Sequence, residues 1–232
     1  MTRVPEIIAH RGAPREALEN TLRAFQIALD QGADGIELDV HATKDGVVVV
    51  HHDAALAVAR NGEPSLVPIA DLHSTEACQV PLRGSERLPT LDEVLDLVGP
   101  RACVYIEVKA NGIARHLVEC LDRHPASRVA VHAFDHRIPV DVRDARPSMS
   151  IGVLSTSYPV SLVGFIGAAR PDALWQQAQL IDQALVDDAH ALGARVIAWT
   201  ENDAVHARSL IAMGVDALCT DTPGLLRAAL TS

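Results

Sequence analysis

Apolar residues fall in short runs separated by longer amphipathic or alanine-rich stretches, and the alternation continues along the whole chain. The runs with strand character are Glu6–His10, Gly35–His41, Val47–His52, Cys103–Lys109, Arg128–Phe134, Met149–Leu154, Ala173–Trp175, Arg195–Thr200 and Ala217–Thr220. Segments with helical character lie between them: Thr21–Gln31, Thr90–Val98, Ile113–His124, Ile138–Arg146, Val160–Ala169, Asp182–Leu192, Asp203–Met213 and Gly224–Ala229. Repeated strand–helix alternation implies a mostly parallel sheet, and right-handed crossovers leave a closed barrel or a doubly wound sheet. A doubly wound sheet more often carries a glycine-rich phosphate turn after its first strand. Here that strand ends in His10-Arg11-Gly12. About eight units in 232 residues, somewhat under the roughly 250 typical of the fold, predict an α/β chain folded as a (β/α)8 TIM barrel.

One segment resists the alternation. Asp53 to Pro89 contains Asn61-Gly62, Pro64, Pro68, Pro81 and Arg83-Gly84, with little periodicity. It reads as an excursion on the barrel top, since long loops in compact domains are usually functional or mobile. The expected organisation is therefore a single domain over residues 1–232, with a 54–89 loop insertion after the second barrel strand region.

Composition narrows the picture. Hydrophobic residues make up 48% of the chain and charged residues 22%, which excludes a disordered protein. Aromatic residues are only 3%, so aliphatic side chains and alanine must fill the core, as layered α/β folds allow. A formal charge of −10 argues against nucleic acid as a partner, because that binding needs a basic surface. It also means that an anionic substrate requires local compensation, which a bound cation supplies. Cys78, Cys103, Cys120 and Cys219 lack Cys-x-x-Cys spacing and read as ordinary thiols. The N-terminal Met-Thr-Arg-Val-Pro-Glu has no charged-then-apolar signal pattern, and no apolar run nears the ~20 residues of a membrane span. The expectation is a cytoplasmic protein without stable membrane insertion; its oligomeric state is left open.

The informative residues are charges inside strands. In Gly35-Ile36-Glu37-Leu38-Asp39-Val40-His41, Glu37, Asp39 and His41 share one face of the strand. Glu107 and Lys109 share a face of Val104-Tyr105-Ile106-Glu107-Val108-Lys109. A barrel strand is covered on both faces, so inward carboxylates are costly unless they bind a cation or lie at the open end. Both groups stand at strand C-termini, where a barrel builds its active site. Glu37, Asp39 and Glu107 form a hard oxygen-ligand set suited to one divalent ion, Mg²⁺ or Ca²⁺. For a single carboxylate, a solvated strand end or a salt bridge is the better reading; the recurrence on two strands favours the metal. His10 ends the first strand, and His52 follows Val47–Val50 just before Asp53. Both can take and give protons near neutral pH. Arg11 and Lys109 offer positive charge for phosphate oxygens.

These residues, in this order, resemble the glycerophosphodiester phosphodiesterase family. The matching pieces are His10-Arg11-Gly12, Glu19-Asn20-Thr21, Glu37-Leu38-Asp39-Val40, His52-Asp53, Leu88-Pro89-Thr90-Leu91, Ile106-Glu107-Val108-Lys109, Ala198-Trp199-Thr200, Gly214-Val215-Asp216 and Thr220-Asp221-Thr222-Pro223. The resemblance implies a barrel in which Glu37, Asp39 and Glu107 hold the ion and His10 and His52 form the acid–base pair. It also implies Arg11 and Lys109 on the phosphate, Glu19 and Asn20 supporting the first loop, and Trp199 lining the substrate pocket. The expected substrate is a small-molecule glycerophosphodiester. The family's Ser-Phe after the fourth strand reads Ala133-Phe134 here, and its Trp-Thr-Val-Asn reads Trp199-Thr200-Glu201-Asn202. Two rival readings are a lysophospholipid or phospholipase D-like phosphodiesterase on the same fold, and a non-catalytic barrel that binds a phosphorylated ligand.

Overall fold

The computed structural model describes residues 5–60 and 62–231; Met1–Val4, Asn61 of the Asn61-Gly62 turn signal and Ser232 lie outside them. The strands are β1 (Glu6–His10), β2 (Gly35–Ala42), β3 (Val48–Val50), β4 (Ala55–Arg60), β5 (Glu63–Pro68), β6 (Cys103–Val108), β7 (Arg128–Ala133), β8 (Ser150–Ser155), β9 (Ala173–Gln177), β10 (Arg195–Trp199) and β11 (Ala217–Thr220). Parallel pairing runs β1-β11-β10-β9-β8-β7-β6-β2, and a β1–β2 pairing closes the ring. This is an eight-stranded parallel barrel with helices between its strands.

Strand parity sorts the core into two layers. Ile36, Leu38 and Val40 of β2 point outward and pack under the helices, with Val104, Ile106, Val131 and Ile151. Ile8, Tyr105, Leu154, Trp175, Ile197 and Cys219 pack together inside the barrel. The inward side chains nearest the strand C-termini are the ones that reach the open mouth. Helix starts follow local chemistry. Thr21 caps Leu22–Asp30, Asp182 caps Gln183–Ala191, and Thr90 forms a capping box with Glu93 at Leu91–Val98.

Two elements differ from the sequence pattern. The Val47–His52 run is only Val48–Val50, and it pairs antiparallel with β2, Val40 opposite Val50. Residues 43–47 are too few for the crossover a parallel neighbour needs, so the chain turns back as a hairpin with Gly46 at φ 81°. The 53–89 segment is not featureless either. It holds the β4–β5 antiparallel ribbon and a short helix, Ser74–Ala77. These bury Leu56, Val58, Ile69, Leu72, Ala77, Val80 and Leu88 against Val49 in a small core of their own. No helix among the described residues is long and apolar enough to cross a membrane.

Candidate active site

The C-terminal mouth of the barrel holds a cavity of about 140 Å³ to which every barrel strand contributes a side chain. They are His10 from β1, Glu37 from β2, Glu107 from β6, His132 from β7, Leu154 from β8, Trp175 from β9, Trp199 from β10 and Cys219 from β11. Arg11, His52, Lys109 and Phe134 complete the lining. Of the ten residues singled out by sequence, seven line this cavity, and the other three, Glu19, Asn20 and Asp39, each bond directly to Arg11, which does.

At its floor, Glu37 and Glu107 meet His132. One donor atom from each lies within 4.8 Å of the others, and the three residues are 3%, 8% and 1% exposed. Burial and the negative field of Glu37 raise the Glu107 pKa above the ordinary carboxylate value. Two buried carboxylates facing each other are destabilising without a compensating cation. Donors held about 2.0–2.6 Å from a single ion necessarily lie within about 5 Å of one another, so the cluster fits one divalent ion.

Asp39, fully buried, faces a different set of groups. Its Oδ2 accepts a 2.9 Å hydrogen bond from Asn20 Nδ2 and pairs with Arg11 Nε at 3.1 Å; its Oδ1 is 3.4 Å from Lys109 Nζ. Despite burial, Arg11, the Asn20 hydrogen bond and Lys109 hold its pKa below the ordinary value. The first loop is fastened at the same point. Arg11 donates from Nη1 to Glu19 at 2.9 Å and from its backbone N–H to Glu37 Oε2 at 3.1 Å. The Asn20 N–H donates to the Arg11 carbonyl, also at 3.1 Å. Arg11 and Asn20 both sit at positive φ, 55° and 57°, a conformation costly for a residue with a side chain and stabilised here by these bonds. Lys109 donates to Glu107 Oε1 at 2.7 Å. Burial opposes its charge, but Glu107 and Asp39 raise its pKa.

His10 bonds through Nδ1 to Asp221 Oδ1 at 2.8 Å, leaving Nε2 for the cavity. Burial lowers the pKa of His10, but the Asp221 bond and the field of Glu37 outweigh it, and the net shift is upward. Asp221 is held in turn by Asn202 Nδ2 at 2.9 Å. His52 lies beyond β3 in the loop, with Nδ1 2.9 Å from Asp53 Oδ1. Its backbone carbonyl is 3.2 Å from Nε2 of the buried His41. Trp199 packs edge-on against Phe134 with ring centroids 5.5 Å apart.

Sequence reasoning passed over His132, Asp221, Phe134 and Trp175 as parts of the site. A signal for His132 existed. It stands in register with Glu107 on the neighbouring strand, at the same inward parity. Asp221 follows directly on β11, a strand end of the same kind that drew attention to His10.

The model of the glycerophosphoryl diester phosphodiesterase family matches residues 10–225. The chain is 34% identical to a glycerophosphodiester phosphodiesterase of Caldanaerobacter subterraneus subsp. tengcongensis, over 95% of each protein. Among solved structures it is similar to an Oleispira antarctica phosphodiesterase in complex with the product sn-glycerol-3-phosphate. That likeness has a TM-score of 0.88 and 26% identity, covering 99% of this chain and 98% of the other. A Thermotoga maritima glycerophosphodiester phosphodiesterase aligns with TM-score 0.81 and 28% identity, over 98% and 99%.

Proposed function

The chain belongs to the glycerophosphoryl diester phosphodiesterase family, and from that premise we propose that it cleaves glycerophosphodiesters to glycerol 3-phosphate and a free alcohol, using His10 and His52 as its proton carriers beside a divalent cation. The enzyme is a phosphoric diester hydrolase. The observation that carries the finer reading is the convergence of both histidines, both mouth carboxylates and two cations on one small cavity.

Glu37 and Glu107 are the residues that would hold the ion, and Asp39 lies beside them. When bound, the ion supplies positive charge to a non-bridging phosphate oxygen. Two carboxylates alone would accept Mg²⁺ or Ca²⁺. His10, its Nδ1 engaged by Asp221, takes a proton at Nε2 from the glycerol 2-hydroxyl or from water as that oxygen bonds to phosphorus. His52 gives a proton to the alcohol oxygen as its bond to phosphorus breaks; where the 2-hydroxyl is the attacking group this leaves a cyclic phosphate, whose ring P–O bond water then breaks to give glycerol 3-phosphate. Arg11 and Lys109 hold the charge that grows on the phosphoryl oxygens, their side chains kept in place by Glu19, Asp39 and Glu107. Trp199 and Phe134 wall the side open to the alcohol.

The test is release of glycerol 3-phosphate from mixed glycerophosphodiesters, with divalent ion and with chelator. Release that requires the ion and disappears in Glu37→Ala is the expected result. Release unaffected by chelator overturns the metal assignment, and near-normal turnover of a poor leaving group by His52→Ala overturns the acid role.

A lysophospholipid substrate is favoured by one observation. Tyr158, Val160 and Val163 are exposed in the segment after β8, and a groove of about 620 Å³ is lined by Val140, Phe165, Ala168 and Ala169 together with Asn111, His136, Arg137 and Asp141. His136, on the groove wall, bonds to the carbonyl of Leu154, a residue of the cavity wall, at 2.9 Å. Faster turnover of lysophospholipid dispersions than of water-soluble diesters would establish that reading.

A further inference from the structure

We propose that His41 is a positioning residue: its imidazole holds the His52 backbone carbonyl and so fixes where the proton-carrying side chain of His52 stands. The inference rests on the reading of His52 as proton donor to the departing alcohol, and deepens it by naming the group that aims the donor.

His41 has the parity of a site residue but a different place. On β2 it shares a face with Glu37 and Asp39, and it is 5% exposed. Glu37 lines the mouth cavity; His41, four residues further along the strand, is not among its lining residues. A side chain outside the cavity acts on the reaction only through a neighbour. The contact His41 makes names that neighbour, for its Nε2 lies 3.2 Å from the His52 carbonyl oxygen. A carbonyl only accepts, so the ring carries its proton on Nε2 and donates it.

His52 needs such a hold. β3 ends at Val50, so His52 stands in irregular chain beyond the sheet. Its side chain is 38% exposed and bonds through Nδ1 to Asp53, itself 77% exposed. A pair that exposed contributes little, and being adjacent in sequence it moves with the same loop. The fixed points are bonds to β2. The His51 N–H donates to the Asp39 carbonyl at 2.9 Å, and the His52 carbonyl accepts from His41. The first sets where the segment leaves the sheet. The second fixes the peptide plane beside the His52 Cα, and with it the direction of the side chain. The next backbone bond, from the Ile69 N–H to the Ala54 carbonyl, already belongs to the insertion.

This bond has a chemical consequence that packing alone lacks. A general acid must stand within about 2.6–3.2 Å of the oxygen it protonates, and a misplacement of about 1 Å slows reaction about 100-fold. The loss falls on leaving groups that need the proton. An aliphatic alkoxide departs poorly without it, whereas p-nitrophenolate departs unaided. Disturbed packing around His41 would slow both alike.

The experiment compares kcat on a glycerophosphodiester of an aliphatic alcohol with kcat on that of p-nitrophenol, using whichever of Mg²⁺ and Ca²⁺ supports wild-type turnover. The proteins are the full chain, His41→Leu, His41→Gln and His52→Ala. Leucine keeps bulk without a donor, and the glutamine amide places an N–H near the position of Nε2. His41→Leu should lower kcat about 10–100-fold on the aliphatic diester and less than about threefold on the p-nitrophenyl one, and His41→Gln should stay within about threefold of wild type on both. Equal losses on the two substrates, no loss, or a glutamine variant as slow as the leucine one each overturn the proposal. If His52→Ala itself slows both substrates alike, the acid reading of His52 falls and the proposal with it; discrimination in His52→Ala without discrimination in His41→Leu sinks the proposal alone. Should His41→Leu fail to fold, long-range proton–nitrogen NMR correlation of the wild-type imidazoles decides: a proton on Nε2 of His41 is expected, and an unprotonated Nε2 refutes the bond.

Discussion

The two ends of the barrel use the same residue types for opposite ends. At the base, Asp34, Asp172 and Asp216 each stand one residue before a strand and clamp the second residue of the strand alongside. The Asp34 N–H donates to the Ile7 carbonyl while its carboxylate accepts from the Ile7 N–H, both at 2.9 Å. Asp172 does the same with Ile151 at 2.8 Å, and Asp216 with Val196 at 2.9 Å. Arg195 pairs with Glu6, and Arg227 with Asp34. A cavity of about 820 Å³ opens there, far wider than the one at the mouth. Yet its charged lining includes these ion-paired groups. At the mouth, Glu37 and Glu107 face each other and an unpartnered imidazole. Cavity size therefore misleads about chemistry. Carboxylates clamped to neighbouring strands stabilise the ring, whereas those that converge on the mouth cavity face the space a substrate would enter.

The largest effect should come from the mouth. His10→Ala removes a proton carrier and should lower kcat by about 10²–10⁴-fold, the usual worth of a positioned acid or base. His10 caps no helix, but its loss removes the 2.8 Å bond to Asp221, so thermal unfolding of the metal-free protein should shift by about 2–4 °C, the equivalent of roughly 1 kcal/mol. A collapse in stability with kcat preserved would erase the distinction between the two ends.

The base should answer in the opposite way. Asp172→Ala leaves the buried Ile151 N–H without its charged acceptor. Such a bond contributes about 1–2 kcal/mol when the carboxylate is solvent-facing, or roughly 2–8 °C in Tm for a chain of this size. Steady-state kcat and KM, measured well below the new Tm, should match the wild type. A tenfold fall in kcat would mean that the base tunes the mouth.

How far the sequence displays this division depends on how each part is encoded. Barrel strands were legible to within about two residues; β1 is Glu6–His10 and β11 Ala217–Thr220 in both readings. Charges breaking such runs exposed Glu37, Asp39, Glu107 and Lys109 as a group. The β4–β5 ribbon was not legible, because Ala55-Leu56-Ala57-Val58-Ala59 alternates alanine with apolar residues and so hides its period of two. Only Leu56 and Val58 are buried, while Ala57 and Ala59 face solvent. Pro64 and Pro68 further disguised β5, where an exposed edge tolerates them. His132 escaped for a different reason. A side chain contributed singly from one strand has no spacing motif, and only the cross-strand register with Glu107 reveals its place in the site.

The smallest expected effect sharpens the comparison most, because it separates an orienting carboxylate at the mouth from the clamping ones at the base. Asp221 accepts from His10 Nδ1 at 2.8 Å, and its own pKa is lowered by that bond. The raised folded-state pKa of His10 means the pair's stabilisation is complete below the imidazole's ordinary value of 6.5 and is lost as pH rises through the raised value. If His10 acts as base, only its neutral form is active, so the acidic limb of kcat/KM follows the raised pKa. Asp221→Asn keeps the shape of the side chain and removes the charge. The limb should therefore move to lower pH, while the plateau falls by about tenfold as the imidazole loses the charge of its orienting acceptor. A basic limb that moves to lower pH instead would require His10 to be active in its protonated form, and the roles of His10 and His52 would then exchange. An unmoved limb would assign it to another group and leave Asp221 with no more than the clamping role of Asp172.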